Sequence, residues 1–124
     1  MYTETLAAGS GMAREFSGDQ ILFTAGPLEL NHQLEAHEVL NIIDVREPND
    51  FAKGHVPGAH NLPRHKWSDD SMLRRDTVNI LYCYSHQSNL AASAVLKFTQ
   101  KGFPVMEMEG GFEAWAEKHL PVEQ

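Results

Sequence analysis

The stretch Val78-Asn79-Ile80-Leu81-Tyr82-Cys83-Tyr84-Ser85-His86-Gln87-Ser88-Asn89-Leu90-Ala91-Ala92 decides the architecture. A largely apolar run ends on the only cysteine of the chain, and a polar hexad then leads into an alanine-rich segment. The pattern reads as a strand, a tight loop and a helix start. In an open α/β sheet such a crossing sets the cysteine at the carboxyl end of a strand, in the crevice where ligands bind. Its thiol then lies beneath helix N-terminal amides, which attract anions and favour a thiolate. Cys83 is accordingly the candidate nucleophile.

Upstream, Val39-Leu40-Asn41-Ile42-Ile43-Asp44-Val45 is β-branched and nearly continuously apolar, as a strand covered on both faces should be. Pro48 is expected to stop it, and residues 51–63, punctuated by Gly54, Pro57, Gly58 and Pro63, read as an ordered loop around a short strand. Earlier still, Ile21-Leu22-Phe23 before Gly26-Pro27 suggests a short strand and turn, and Leu28, Leu30 and Leu34 a short helix. Ser68-Asp69-Asp70-Ser71 supplies N-cap candidates for a short basic segment ending at Arg75.

Downstream, the pattern predicts a helix from about Ser88 to Lys101 with Ala91, Ala94, Val95 and Phe98 along one side, closed by Gly102. A last strand at Val105–Met108, a turn at Gly110-Gly111 and a helix from Phe112 to His119 complete the series. Strands alternating with helices, without hairpin dipeptides, imply right-handed crossovers and a mainly parallel sheet with helices on both faces. The fold class is therefore α/β, read as an extension over residues 1–20, with a helical turn near Met12 to Phe16, followed by a single domain over 21–124.

The 124 residues are enough to bury a core without staples. A single cysteine excludes an internal disulfide, a cysteine-rich zinc site and a dithiol couple. The histidine pairs His32/His37 and His60/His65 are each five apart, which is not metal-ligand spacing, so neither a metal nor another cofactor is expected. A formal charge of −7 argues against a nucleic-acid footprint or charge-driven membrane binding. Met1 to Leu6 offers neither a basic nor an apolar leader region, and the default compartment is the cytoplasm.

Three separated segments together resemble a single-domain rhodanese-like protein of the thiosulfate sulfurtransferase type. They are Ile43-Asp44-Val45-Arg46-Glu47 with Phe51-Ala52-Lys53-Gly54-His55-Val56-Pro57-Gly58-Ala59, the cysteine unit itself, and Met108-Glu109-Gly110-Gly111-Phe112-Glu113-Ala114-Trp115. The resemblance spans roughly residues 20 to 120. It implies a five-stranded parallel sheet flanked by helices. It also implies that Cys83 takes a sulfane sulfur as a persulfide and passes it to a thiophilic acceptor. The expected partners are a small donor such as thiosulfate or a persulfide, and a thiol or protein acceptor. The loop residues Tyr84, Ser85, His86, Gln87, Ser88 and Asn89 would bind the sulfur through backbone amides. Many members carry an arginine or lysine and a glycine in this loop; here there is no permanent cation and no glycine, so the nucleophile is kept and the anion clamp is altered. Asn89 or His86 would have to supply any positive φ that the loop requires.

The unperturbed pKa of cysteine, about 8.5, would leave the thiol mostly protonated at neutral pH, so the amides and helix dipole must favour the anion. His86 could act as a proton shuttle or cation. Arg64-His65-Lys66-Trp67 reads as solvated surface with Trp67 packed down, or as a basic rim supplying the charge missing from the loop. Asp44 and Arg46 read as a structural pair, His55 as a backbone-bonded ring, and Gly110-Gly111 as a turn. Two other functions compete with sulfur transfer. One is a catalytically weak binding or redox-sensing module built on an inert or oxidisable thiol. The other is a phosphatase or arsenate reductase, which needs an arginine where this chain has Asn89.

Overall fold

The computed structural model describes residues 24–85 and 87–124. The segment expected to be a strand at Ile21-Leu22-Phe23 and the extension over 1–20 lie outside the described residues, as does His86. In chain order the elements are β1 (Thr24–Ala25), α1 (Pro27–Glu35), β2 (Asn41–Asp44), α2 (Pro48–Lys53), β3 (His60–Asn61), a 3₁₀ turn (Arg64–Lys66), β4 (Asn79–Tyr82), α3 (Leu90–Gln100), β5 (Val105–Met108) and α4 (Gly111–Glu117). The sheet runs β1-β5-β4-β2-β3, and every pairing is parallel. Three four-residue strands make its centre and a two-residue strand flanks them on each side.

Strand parity sorts the core into two layers, because successive side chains point to opposite faces. Ile42, Ile80, Tyr82, Met106 and Met108 face Leu30 of α1 and Trp115 of α4. Ile43, Leu81, Cys83 and Val105 face Ala91, Ala94 and Phe98 of α3. All four residues of β2, and all four of β4, are buried, which is why these runs lack polar alternation. The small residues Ala91 and Ala94 let α3 approach the sheet, and Phe98 fills the space beyond them against Trp67 and Phe103.

Helix α3 ends as its glycine predicts. Gly102 has φ +91°, its N–H donates to Thr99, and Phe103 N–H reaches back to the Phe98 carbonyl. This is the paired 5→2 and 6→1 closure that uses a left-handed residue. The same closure ends α1 with His37 in the left-handed position, its N–H donating to Leu34 and that of Glu38 to Gln33.

Two local expectations need correction. Pro48 does not merely stop β2; it opens α2 at the first helical position, where a missing N–H costs nothing and its fixed φ suits the helix. Ser68 to Ser71 caps no helix. The buried amides of Asn41 and Asn79 hold the following segment in irregular form: Asn41 Nδ2 donates to the Met72 carbonyl, Arg74 N–H donates to Asn79 Oδ1, and Asn79 Nδ2 donates to the Arg74 carbonyl. Leu73, in this irregular segment, is buried in the α3-side core.

Candidate functional site

Cys83 follows β4, the middle strand, at its carboxyl end. The residue is only 1% exposed and belongs to the α3-side layer with Val45, Leu62, Trp67 and Ala91. Its loop folds back over it, so Sγ lies 3.8 Å from both the Ser85 and the Ser88 carbonyl oxygens, the S–H being the donor. The eleven-residue α3 begins at Leu90 with no acidic side chain in its first turn, so nothing there opposes its N-terminal partial charge.

The loop residues that the sequence nominated sit in different roles. Ser85 Oγ accepts the Gln87 N–H at 3.3 Å, the Ser85 carbonyl accepts the Ser88 N–H at 3.1 Å, and Ser88 Oγ accepts the Leu90 N–H at 3.3 Å. These turn-forming bonds close the loop locally. Gln87 and Asn89 are exposed. Asn89 has φ −91°, so it does not supply the left-handed position considered for it.

Tyr84 is directed away from the thiol. Its hydroxyl accepts the Glu47 N–H at 3.1 Å and donates to Asp50 Oδ2 at 2.8 Å, both at the start of α2. Partial burial and this acidic neighbour push its pKa above that of an ordinary tyrosine.

The sequence reading missed the part played by α4. Phe112 N–H donates to the Cys83 carbonyl at 2.8 Å and Glu113 N–H to the Tyr84 carbonyl at 2.9 Å. Gly111, at φ +62°, makes the approach possible: a Cβ there would fall 2.7 Å from Cys83 O, Tyr84 C and Ser85 N. The doubled glycine in the third segment was the available signal, since a pair of glycines entering a helix is what a close backbone contact requires.

Arg46 joins the same neighbourhood. Nε and Nη2 form a two-pronged pair with the fully buried Asp44 carboxylate, Nη2 also donates to the Gly54 carbonyl, and the guanidinium stacks 4.3 Å from the Phe112 ring centroid. Burial opposes the charge, but the Asp44 bond and charge outweigh it and raise the guanidinium pKa further. The structural reading of this pair therefore holds. So does that of His55, whose Nδ1 bonds the Phe51 carbonyl at 2.8 Å while its ring stacks on Phe51. A cleft of about 250 Å³ bounded by Arg46, Asp50, Lys53, Phe112 and Val122 lies on the α4 side of the sheet, the opposite layer from Sγ.

The basic cluster is placed at the thiol's end of the sheet. Chain direction takes residues 62 to 67 out of β3 at the same edge from which Cys83 leaves β4, two strand spacings or about 10 Å away. Arg64, His65 and Lys66 are exposed, whereas Trp67 is buried in the Cys83 layer with its Nε1–H on the Leu62 carbonyl. Among the described residues no group of three or more histidine, cysteine or acidic side chains is placed to hold a metal. No described helix is long and apolar enough to cross a membrane.

A parallel sheet covered on both faces, with a thiol wrapped by its loop at the carboxyl end of the middle strand, defines an α/β protein organised around that thiol. The chain belongs to the rhodanese-like family, whose Rhodanese-like domain matches residues 26–118. A relative called thiosulfate sulfurtransferase GlpE, from Pseudomonas putida, is 34% identical over 93 residues, covering 72% of this chain and 81% of that one. Among solved structures, the BH2092 protein of Bacillus halodurans superposes with a TM-score of 0.75 at 30% identity, over 82% of this chain and 76% of that one. A rhodanese-related protein of Thermoplasma volcanium gives a TM-score of 0.71 at 27% identity, over 81% and 96%. These relationships support a sulfurtransferase-family role.

Proposed function

We propose that this chain is a sulfurtransferase that carries sulfane sulfur as a persulfide on Cys83. The observation that carries the reading is the thiol itself, buried at the carboxyl end of β4 with its loop closed over Sγ and the start of α3 beside it. In the first half-reaction the Cys83 thiolate attacks the outer sulfur of thiosulfate, an S–S bond forms on the protein, and the donor's S–S bond breaks with its electron pair leaving on sulfite. In the second, an acceptor thiolate attacks that outer sulfur, takes it as a new persulfide, and returns Cys83 as a thiolate. No net oxidant is consumed. Burial protects the intermediate from water and from further oxidation.

Donor recognition falls to groups outside the loop, since residues 84–89 carry no permanent cation. Arg64 and Lys66, exposed at the same sheet edge, form the positive rim for an anionic donor such as thiosulfate. The folded unit is taken as residues 21–124 with 1–20 as an extension, and the working compartment as the reducing cytoplasm, where the thiol stays available.

The test is the intact mass of the wild type and of Cys83→Ser before and after thiosulfate or glutathione hydropersulfide. A gain of one sulfur atom, removable by cyanide and confined to the wild type, is the expected result. Folded wild-type protein that gains no sulfur from either donor would refute the reading and leave the thiol to a binding or redox-sensing role.

A further inference from the structure

We infer that the cleft between α2, α4 and the carboxyl-terminal residues is a binding site for a small organic monoanion, a monocarboxylate with a short apolar tail, separate from the thiol. The inference does not depend on the persulfide reading and stands or falls without it.

The cleft holds about 250 Å³ and is bounded by Arg46, Asp50, Lys53, Phe112, Ala116 and Val122. At a share of about 30 Å³ for each water molecule, it has room for a ligand of several heavy atoms. Its walls are held from behind. Val122 lies between two fixed points: Trp115 Nε1–H donates to the Pro121 carbonyl at 2.7 Å, and Glu123 exchanges two backbone bonds of 2.9 Å with His55. Phe112 is tied by its N–H to the Cys83 carbonyl and by the Arg46 guanidinium over its ring. Sγ lies in the other layer of the sheet, so a molecule in the cleft does not meet the thiol.

The donors on the walls set the sign of the ligand. The Arg46 side chain is 6% exposed, and its Nε and Nη2 are committed to Asp44 and to the Gly54 carbonyl. Nη1 makes no hydrogen bond among the described residues, which leaves its N–H groups to the cleft that Arg46 lines. A buried donor without an acceptor is costly, and an anionic oxygen is its strongest partner. Asp44 already balances the Arg46 charge, so the net positive charge comes from Lys53, exposed at the end of α2 and in no ion pair among the described residues. Asp50 places a carboxylate on the same cleft, with Oδ2 accepting from the Tyr84 hydroxyl. One free cation beside one carboxylate accommodates a single added negative charge and opposes a second. Sulfate and other dianions are therefore disfavoured, while Phe112, Ala116 and Val122 offer the apolar surface on which a carbon tail is buried.

The experiment titrates the full-length wild type with sodium butyrate, and separately with sodium sulfate at matched ionic strength, following the backbone amides of Gly54, Phe112 and Ala116 by NMR. Butyrate is expected to shift these amides along a saturating millimolar curve, and sulfate to leave them in place. Lys53→Ala should weaken butyrate about two- to fivefold, and Asp50→Asn, which removes the opposing charge, should tighten it by a similar factor. Ala116→Leu fills the cleft from an exposed helical position and should abolish the saturable shifts, with an unchanged thermal midpoint showing that the protein is folded. Butyrate shifts that stay linear with concentration, or sulfate shifts as large and as saturable as those of butyrate, would overturn the inference. So would a folded Ala116→Leu protein that binds butyrate as wild type does, or an Asp50→Asn protein that binds it more weakly.

Discussion

Replacing Gly111 with alanine tests how closely α4 presses on the cysteine loop. A methyl at this position meets Cys83 O, Tyr84 C and Ser85 N at 2.7 Å, all of them backbone atoms with no flexible end to swing away. Relief requires α4 to withdraw, which weakens the Phe112-to-Cys83 and Glu113-to-Tyr84 bonds, each worth about 1 kcal/mol. The φ of +62° adds about 1–2 kcal/mol for an L side chain in the left-handed region. Against this, alanine lowers the entropy of the unfolded chain, a gain of about 0.4–1 kcal/mol. The expected net loss is about 2–3 kcal/mol, a large part of a stability on the order of 5–15 kcal/mol. Gly58→Ala isolates the conformational part, because Gly58 has φ +83° but nothing lies within 4 Å of its added methyl. Urea unfolding of the two variants, at unchanged m-value, gives the comparison. If Gly111→Ala costs no more than Gly58→Ala, the close approach of α4 contributes nothing and the reasoning is refuted. The same protein should also transfer sulfur poorly, since the displaced bonds orient the residues flanking the nucleophile.

The basic rim predicts that replacing both Arg64 and Lys66 with alanine raises the KM for thiosulfate about two- to tenfold, the range for exposed charge pairs, with an effect that shrinks at high salt; an unchanged KM at low salt would remove these residues from donor binding. Glu107 on β5 is half-buried, and burial together with the charge of Glu109 raises its pKa above the ordinary carboxylate range. Its neutral form is the one the fold favours, so the stability it contributes is complete below the unfolded-state pKa and is lost as pH rises through the folded-state value. Glu107→Gln should therefore be more stable than wild type at neutral pH, with the difference closing in acid; thermal midpoints measured across that range check both the sign and the window.

Much of this molecule is legible in local sequence. The largely apolar runs at 39–45 and from Val78 to Cys83, with Val105–Met108, declare the strands, and Ala91, Ala94 and Phe98 declare the face that α3 turns to the sheet. The cysteine at the end of one such run, ahead of a helix, marks the site, because burial pattern and helix periodicity are properties of neighbours in the chain. What lay beyond such a reading was which distant groups meet there. Pro48 looked like a terminator because a proline both ends strands and starts helices, and only the packing of Phe51, from α2 itself, against the core separates the two. Residues 68–75 carry good capping chemistry, yet the buried amides of Asn41 and Asn79 took their backbone instead. The pinning of Tyr84 by α2 and α4 depends on the strand order, which places β4 between β2 and β5 so that the segments following all three open at one edge. Periodicity chooses the elements and the face each one buries, while the order in which strands lie side by side is settled by global packing. That order, and not any local pattern, surrounds Cys83 with its supporting groups.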